Sequence, residues 1–137
     1  METIYLQNGY KNMDKILTLS NLSHVWIFDL DGTLVKHNKY KTGEDEWVDG
    51  ALDFIKSRPN SDFVLILTGR ELKYKKQTID FLNKYSVRFN KIIFGLPLGE
   101  RILINDTKPS GLMCARALNV ERDKGLKDIT VRIDDAL

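Results

Sequence analysis

The stretch "VWIFDLDGTLV", residues 25 to 35, decides the fold because its apolar run ends directly on two carboxylates. The run from Val25 to Phe28 is too short for a helix and does not alternate, which predicts a strand buried on both faces. Asp29 and Asp31 follow this strand, and Gly32 permits a tight turn beside them. The sequence therefore predicts two neighbouring acids at the carboxyl end of a buried strand.

Apolar runs of the same kind recur along the chain. "FVLIL" ending at Leu67, "KIIF" ending at Phe94 and "RILI" ending at Ile104 predict further strands, and "ARALNV" fits a last short one. Helical periodicity marks "GALDFIKSRP", "ELKYKKQTIDFLNKY" and "PSGLMCARAL". This alternation predicts an α/β fold, a three-layer Rossmann-like parallel sheet with helices on both faces. For the tail "GLKDITVRIDDAL", an edge strand and association with a partner both stay open.

The totals are those of one ordinary globular domain over residues 1–137. A formal net charge of +2 gives no general reason to expect nucleic-acid or membrane binding. The single cysteine, Cys114, predicts a reducing, cytoplasmic location. Charged side chains interrupt residues 1–24, so neither a signal peptide nor a membrane span is expected there.

Paired carboxylates at a strand end call for a compensating cation, because Asp29 and Asp31 repel each other and lose water on burial. Mg²⁺ binds one or two carboxylates and keeps its other positions for water and phosphate, so it fits this pair. The alternative is a plain Asp-Gly turn with both acids solvated. Polar groups at two more strand ends favour the metal site: "LILTGR" ends in Thr68, Gly69 and Arg70, and "ILINDTKP" contains Asp106.

The second and third strand ends have their own alternatives. The Thr68 hydroxyl and the Gly69 amide are suited to hold phosphate oxygens, although Thr68 is equally suited to cap a helix. Asp106 could complete a metal site opposite Asp29, although an isolated aspartate before a threonine is commonly a turn former.

The order "DLDGT", then "LTGR", then "IND" resembles the haloacid dehalogenase superfamily, whose first signature is an apolar strand ending in DxDGT. The resemblance covers about residues 25–120. It implies a phosphatase in which Asp29 is the nucleophile that becomes an aspartyl-phosphate and Asp31 is the general acid and base. The implied Mg²⁺ ligands are Asp29, the Asp31 backbone carbonyl and Asp106. The resemblance implies that Thr68 holds the phosphoryl group and that Thr33 braces the loop, although Thr33 could equally do no more than pack. Gly69 and Arg70 are further candidate substrate contacts from the second strand end.

The chain departs from this family at the phosphate-neutralising lysine. Small relatives often place it in "GKP", whereas this chain has "GLP" with Leu96. Lys108 is the expected substitute and Lys91 the second choice, although either could be a solvated surface lysine. This departure keeps open a rival from another class, a metal- or phosphate-binding scaffold protein with weak catalysis.

The spacing leaves no room for a cap domain. Asp29 and Thr68 are 39 positions apart, and Thr68 and Asp106 are 38 apart, which the core helices and strands fill. An open site suits a macromolecular phosphate such as a 3′-phosphorylated nucleic acid end, and a sugar phosphate or nucleotide stays open if a homo-oligomer covers the site. Basic side chains near the first two motifs agree with a polyanion or with ordinary solvated faces; they are Lys36, Lys39, Lys41, Lys73, Lys75 and Lys76.

Overall fold

The computed structural model describes residues 15–137, which divide into two compact units. The described part of the first unit comprises residues 15–22, Ile102–Asn119 and Asp128–Leu137, and the second comprises Ser23–Arg101 and Val120–Lys127. The single domain predicted over residues 1–137 stays a prediction. Residues 1–14, which the sequence predicts to hold no signal or membrane segment, lie outside the described residues.

The second unit is built on a parallel three-stranded sheet. Its strands are β2 (Val25–Asp29), β3 (Phe63–Leu67) and β4 (Lys91–Ile93), with β3 in the middle. Asp29 pairs with Leu67, and Leu67 pairs with Ile93, so the carboxyl ends of all three strands form one edge. The strands predicted from "VWIF", "FVLIL" and "KIIF" are thereby confirmed, and the protein is of mixed α/β class.

Helices α1 (Ala51–Lys56) and α2 (Lys75–Lys84) confirm the first two predicted helices, and short 3₁₀ turns occupy Lys39–Lys41 and Leu72–Tyr74. The Phe54 ring of α1 contacts Trp26 and Phe28 edge-on, with centroids 5.9 and 6.0 Å away. These contacts cover one face of β2 with apolar side chains.

The opposite face of β2 corrects the prediction of a strand buried on both faces. Successive side chains of a strand alternate between faces, so Val25 and Ile27 point away from Phe54. They are 64% and 50% exposed. The continuous apolar run thus reflects β propensity as well as burial.

The first unit contains β1 (Ile16–Leu19), which pairs in parallel with β5 (Thr130–Ile133). Strand β5 lies in the tail whose fate the sequence left open, and it forms an edge strand there. None of the helices in the described part of the chain is long and apolar enough to cross a membrane.

Residues 102–119 correct three further predictions, because "RILI", "PSGLMCARAL" and "ARALNV" form neither strand nor helix. Gly111 has a φ of +97° and donates its N–H to the Lys108 carbonyl at 2.8 Å, while Lys108 N–H bonds to Leu112 O, also at 2.8 Å. Pro109 occupies the second position of this turn and has no N–H to contribute to a helix. Local turn chemistry therefore prevails over the helical periodicity. Ile104 in this segment is 91% exposed.

Candidate active site

Backbone hydrogen bonds continue past the strand ends and hold their polar loops together. Leu30 N–H donates to Leu67 O at 3.1 Å, just beyond β2, and Thr68 N–H donates to Ile93 O at 3.0 Å, just beyond β3. The residues that follow β2 and β3 are therefore fixed side by side at the carboxyl edge, where parallel sheets bind ligands.

The loop after β2 turns sharply and returns to itself. Gly32, with a φ of +86°, donates its N–H to Val35 O at 2.7 Å, while Leu34 and Val35 both donate to Leu30 O. Leu34 and Val35 are fully buried and anchor the loop from below. The Thr33 hydroxyl donates to Asp29 Oδ2 at 3.0 Å, which orients the carboxylate.

Asp29 is the exposed acid of this loop. Burial of its carboxyl group by surrounding atoms raises its pKa, and the neighbouring charge of Asp31 acts in the same direction. The Thr33 hydroxyl, the Arg101 charge and the Leu30 amide lower the pKa, but the net shift is upward. The groups around Asp29 thus do not fully offset the effect of burial on its charge, although its side chain still faces solvent.

Asp31 is held firmly by its neighbours. Its carboxylate accepts hydrogen bonds from Arg70 Nε at 3.1 Å, from Arg70 Nη2 at 2.9 Å and from the Thr68 hydroxyl at 3.2 Å. The alternative of a plain turn with both acids solvated is therefore wrong for Asp31. Five of the predicted site residues lie together at the carboxyl edge of the sheet, as the sequence predicts: Asp29, Asp31, Thr33, Thr68 and Arg70.

Thr68 is buried between Asp31 and the start of the next turn. Its hydroxyl donates to Asp31 and accepts the Arg70 N–H at 3.0 Å. The following 3₁₀ turn has Glu71, not Thr68, at its N-cap position, so the helix-cap alternative is wrong. In this arrangement the hydroxyl proton of Thr68 is engaged by Asp31, and its role toward a phosphoryl group stays a prediction.

Arg70 occupies a different place from the substrate contact expected of it. Its side chain is 0% exposed, and its second edge donates to Asp45 Oδ1 at 2.8 Å and Oδ2 at 3.0 Å. It also donates to the Thr78 hydroxyl at 2.8 Å, and its guanidinium lies 3.9 Å from the centre of the Tyr40 ring. Arg70 therefore bonds to the protein itself with all three of its side-chain nitrogens.

Sequence reasoning missed Asp45 and Tyr40. Both lie in the polar stretch "KHNKYKTGEDEW" between β2 and α1, where acids, lysines and a glycine are typical of a solvated loop. Asp45 and Tyr40 are nevertheless buried. No signal in the local sequence distinguishes Asp45 from the exposed Glu44 and Glu46 beside it.

The loop of residues 95–101 lies against the end of β3. Gly95 N–H bonds to Arg70 O at 2.8 Å and Leu96 N–H bonds to Thr68 O at 3.2 Å. A Cβ on Gly69 would lie 2.6 Å from Leu98 Cδ2 and 3.3 Å from Leu96 O, so the loop packs closely against Gly69. This is the "GLP" loop, in which Leu96 stands where small members of the resembled superfamily often have lysine.

Arg101 ends that loop and is a third residue that sequence reasoning missed. Its Nη1 donates to the carbonyls of Pro97 and Gly99, both at 2.9 Å, which folds the side chain back over its own loop. Its positive charge lowers the pKa of Asp29, although burial keeps the net shift upward. Arg101 is therefore a cation that acts on the predicted nucleophile.

Residues 120–127, although distant in sequence, contact the loop after β2. Asp123 N–H donates to Gly32 O, and the Asp123 carboxylate accepts the His37 N–H, both at 2.8 Å. Arg122 Cγ would lie 3.1 Å from a Cβ placed on Gly32. These contacts stabilise the loop that follows Asp29, and no motif in residues 120–127 predicts them.

Of the two predicted cations and the third metal ligand, only Lys91 belongs to the second unit. Lys91 begins β4 and pairs with Leu65, at the far end of that strand from the carboxyl edge. Asp106 and Lys108 belong to the first unit, both exposed, and Asn105 Nδ2 donates to Asp106 Oδ1 at 3.2 Å. Their approach to Asp29 stays a prediction.

The donor atoms of the loop fit a magnesium ion. The Asp29 carboxylate and the Asp31 carbonyl are hard oxygen ligands, and Mg²⁺ needs only one or two carboxylates when water completes its shell. The Asp31 carboxylate is taken up by Arg70, which agrees with the use of its carbonyl. Within residues 15–137, however, no group of three or more His, Cys, Asp or Glu side chains is arranged to hold a metal ion.

Comparison of the chain with models of protein families, with curated proteins and with solved structures gives no match. Function is therefore inferred from the geometry of the carboxyl edge and from the resemblance of its motifs.

Proposed function

We propose that the protein is a capless, Mg²⁺-dependent phosphatase of the haloacid dehalogenase superfamily that hydrolyses a phosphate monoester. The observation that carries this proposal is an exposed Asp29 oriented by Thr33, two residues before an Asp31 held by Arg70 and Thr68, at the carboxyl edge of a parallel sheet. The three-layer Rossmann-like arrangement of that superfamily is part of the proposal.

In the first half of the reaction, an Asp29 carboxylate oxygen attacks phosphorus and forms an aspartyl-phosphate. The bond from phosphorus to the leaving oxygen breaks, and Asp31 gives its proton to that oxygen. Thr33 keeps the Asp29 carboxylate oriented through its hydroxyl, and partial burial reduces the water that must leave before attack. Exposure of Asp29 leaves the approach to it open to an external phosphate.

In the second half, Asp31 accepts a proton from water as the water oxygen attacks phosphorus. The bond between phosphorus and Asp29 breaks, which releases inorganic phosphate and regenerates the Asp29 carboxylate. Asp31 thus returns to its protonated form, so one residue serves as acid and then as base. Its position two residues after the nucleophile, at the same strand end, suits both roles.

Positive charge is needed because a carboxylate approaches a phosphate anion. Mg²⁺, held by the Asp29 carboxylate, the Asp31 carbonyl and Asp106, would shield this repulsion. Arg101 is the protein cation best supported for the same purpose, since its loop is bonded to Thr68 and Arg70 and its charge acts on Asp29. Lys108, which belongs to the first unit, stays the alternative.

Two substrate classes remain under this proposal. A site without a cap, which the motif spacing predicts, suits a phosphate on a macromolecule, such as a 3′-phosphorylated nucleic acid end, and a sugar phosphate or nucleotide requires a homo-oligomer to cover the site. Exposed lysines on the turns beside the site, such as Lys41 and Lys73, support a polyanion.

The test is Mg²⁺-dependent phosphate release from four substrates: a 3′-phosphorylated oligonucleotide, a sugar phosphate, a nucleotide and a phosphopeptide. We expect release from at least one class by the wild-type protein and none by Asp29→Asn. Asp53→Asn, which changes an exposed acid on α1, is the matched control and should keep full turnover. Silence from the wild-type protein on every substrate, with Mg²⁺ binding shown by calorimetry, would favour the scaffold alternative.

A further inference from the structure

We propose that the buried ion pair between Asp45 and Arg70 is a positioning device for Asp31, so that proton transfer in this site depends on a residue outside the three motifs. The inference rests on the proposed function. It assigns Arg70 and Asp45 to the carboxylate of Asp31 rather than to the substrate.

The geometry of Arg70 leaves its side chain nothing to offer a substrate. Nε and Nη2 face Asp31, Nη1 and Nη2 face Asp45, and Nη1 also reaches Thr78. Tyr40 lies against the flat face of the guanidinium at 3.9 Å. The guanidinium is therefore fixed on its edges by two carboxylates and on its face by a ring.

Asp45 is needed to keep this guanidinium at the site. Its own side chain is 2% exposed, and it meets Arg70 with both oxygens in the paired geometry that arginine and carboxylate favour. A buried guanidinium with one carboxylate would already be neutralised. The second carboxylate, Asp31, is 17% exposed and lies at the strand end beside the nucleophile. Because Asp45 binds one edge of the Arg70 guanidinium, the other edge is directed at Asp31.

The segment that carries Asp45 is itself attached to the sheet unit. The Tyr40 carbonyl accepts a hydrogen bond from Gln77 of α2 at 3.1 Å, and the Tyr40 ring contacts Tyr74 edge-on at 4.8 Å. Thr78, also on α2, bonds to Arg70. Helix α2 thus holds the Arg70 guanidinium in place through Thr78, and Asp45 holds the edge of the guanidinium that faces away from Asp31. The guanidinium in turn orients the Asp31 carboxylate.

An acid that protonates a leaving group matters most when that group leaves poorly. An alkyl phosphate needs the proton as its ester bond breaks, whereas a nitrophenyl phosphate leaves as a stable anion and needs it little. A displaced Asp31 should therefore slow formation of the aspartyl-phosphate, which kcat/KM reports, selectively for alkyl phosphates, whereas hydrolysis of that intermediate is the same step for both substrates. A variant that merely reduces the amount of folded protein slows both substrates by the same factor.

The experiment measures kcat and KM of wild type and Asp45→Asn on these two phosphates. We expect kcat/KM for the alkyl phosphate to fall about 10- to 100-fold, within the range of general acid catalysis, and kcat/KM for the nitrophenyl phosphate to fall less than about threefold. Glu44→Gln is the matched control: the neighbouring acid is exposed and pairs with Lys84, so its removal should affect neither substrate.

Asp45→Glu guards against a variant that does not fold, because it keeps the charge and lengthens the side chain by one methylene. It should show the same selective loss, in smaller measure. Equal loss on both substrates, or no loss, in whichever variant folds would overturn the inference while the wild-type activity still supports the phosphatase. An inactive wild type would instead overturn the proposed function.

Discussion

The sheet of the second unit holds a buried carboxylate network at each end. At the amino end, Asp62 accepts the His24 N–H at 3.0 Å and the Trp26 indole N–H at 2.8 Å. At the carboxyl end, Asp31 accepts its bonds from Arg70 and Thr68. One end of the sheet therefore carries the buried Asp62 and the other the partly buried Asp31, and only Asp31 lies close to an exposed acid.

The difference between the two ends lies in that neighbour. Burial alone raises the pKa of Asp62, but hydrogen bonds from His24 and Trp26, with the charges of His24 and Arg58, bring its pKa below the usual value. Burial raises the pKa of Asp29, and the groups near it do not reverse the shift. A buried charge by itself thus indicates structure, whereas an incompletely stabilised acid beside a fixed one indicates chemistry.

The largest contrast should appear in turnover. Asp29→Asn removes the nucleophile, so phosphate release should fall at least about 10³-fold while circular dichroism stays native. Asp62→Asn should keep wild-type kcat per folded molecule, because its contacts lie at the opposite end of the strands. Turnover in Asp29→Asn equal to that of wild type would refute the assignment of the active end.

The next largest contrast should appear in the free energy of unfolding when the arginine at each end of the sheet is replaced. Arg70→Met leaves Asp31 and Asp45 without their shared partner, so we expect the free energy of unfolding in urea to fall by about 3–5 kcal/mol. Arg58→Met at the other end mainly loses stacking on Trp26 and Phe54, and should cost about 1 kcal/mol. Similar losses in the two variants would show that the carboxyl-end network is no more dependent on its cation than the other.

The sequence predicted one of these two ends well. The DxDGT stretch and "LTGR" identified Asp29, Asp31, Thr68 and Arg70. These residues directly follow two adjacent parallel strands, and the pairing of the strands alone brings them to one edge of the sheet. Asp45 could not be found, because its burial depends on a guanidinium 25 positions away and nothing in "GEDEW" encodes that meeting. Arg101 could not be found for a similar reason, because its loop is placed by hydrogen bonds to Thr68 and Arg70 that are distant in sequence.

The fold was predictable to a similar degree. Alternating apolar runs predicted β2, β3, β4 and the first two helices, where burial and propensity agree. They failed for residues 102–119, where Pro109 and Gly111 favour a turn over the periodic helix. They also failed for one face of β2, because a run of Val, Trp, Ile and Phe satisfies β propensity without covering both faces.

The acid at the structural end should respond to pH. Because the pKa of Asp62 is lower in the folded than in the unfolded protein, its ionised form stabilises the fold above the unfolded value, and this contribution disappears as pH falls through the folded pKa. We expect Asp62→Asn to cost about 1–2 kcal/mol at pH 7 and progressively less below about pH 4. Urea titrations of both proteins at pH 7 and pH 3 check this, and a loss independent of pH would contradict it.

The acid at the active end should show the opposite sign and the smallest effect. A folded pKa raised above the unfolded value means that the protonated form favours folding at low pH and that this contribution disappears as pH rises through the folded pKa. At neutral pH without Mg²⁺, Asp29→Asn should therefore stabilise the fold, by less than about 1 kcal/mol because the residue is exposed. Thermal unfolding with and without Mg²⁺ tests both parts: the variant should melt slightly higher than wild type in chelator, and Mg²⁺ should raise the melting temperature of wild type alone. A variant that melts lower in chelator would mean that Asp29, like Asp62, is an acid that the fold needs.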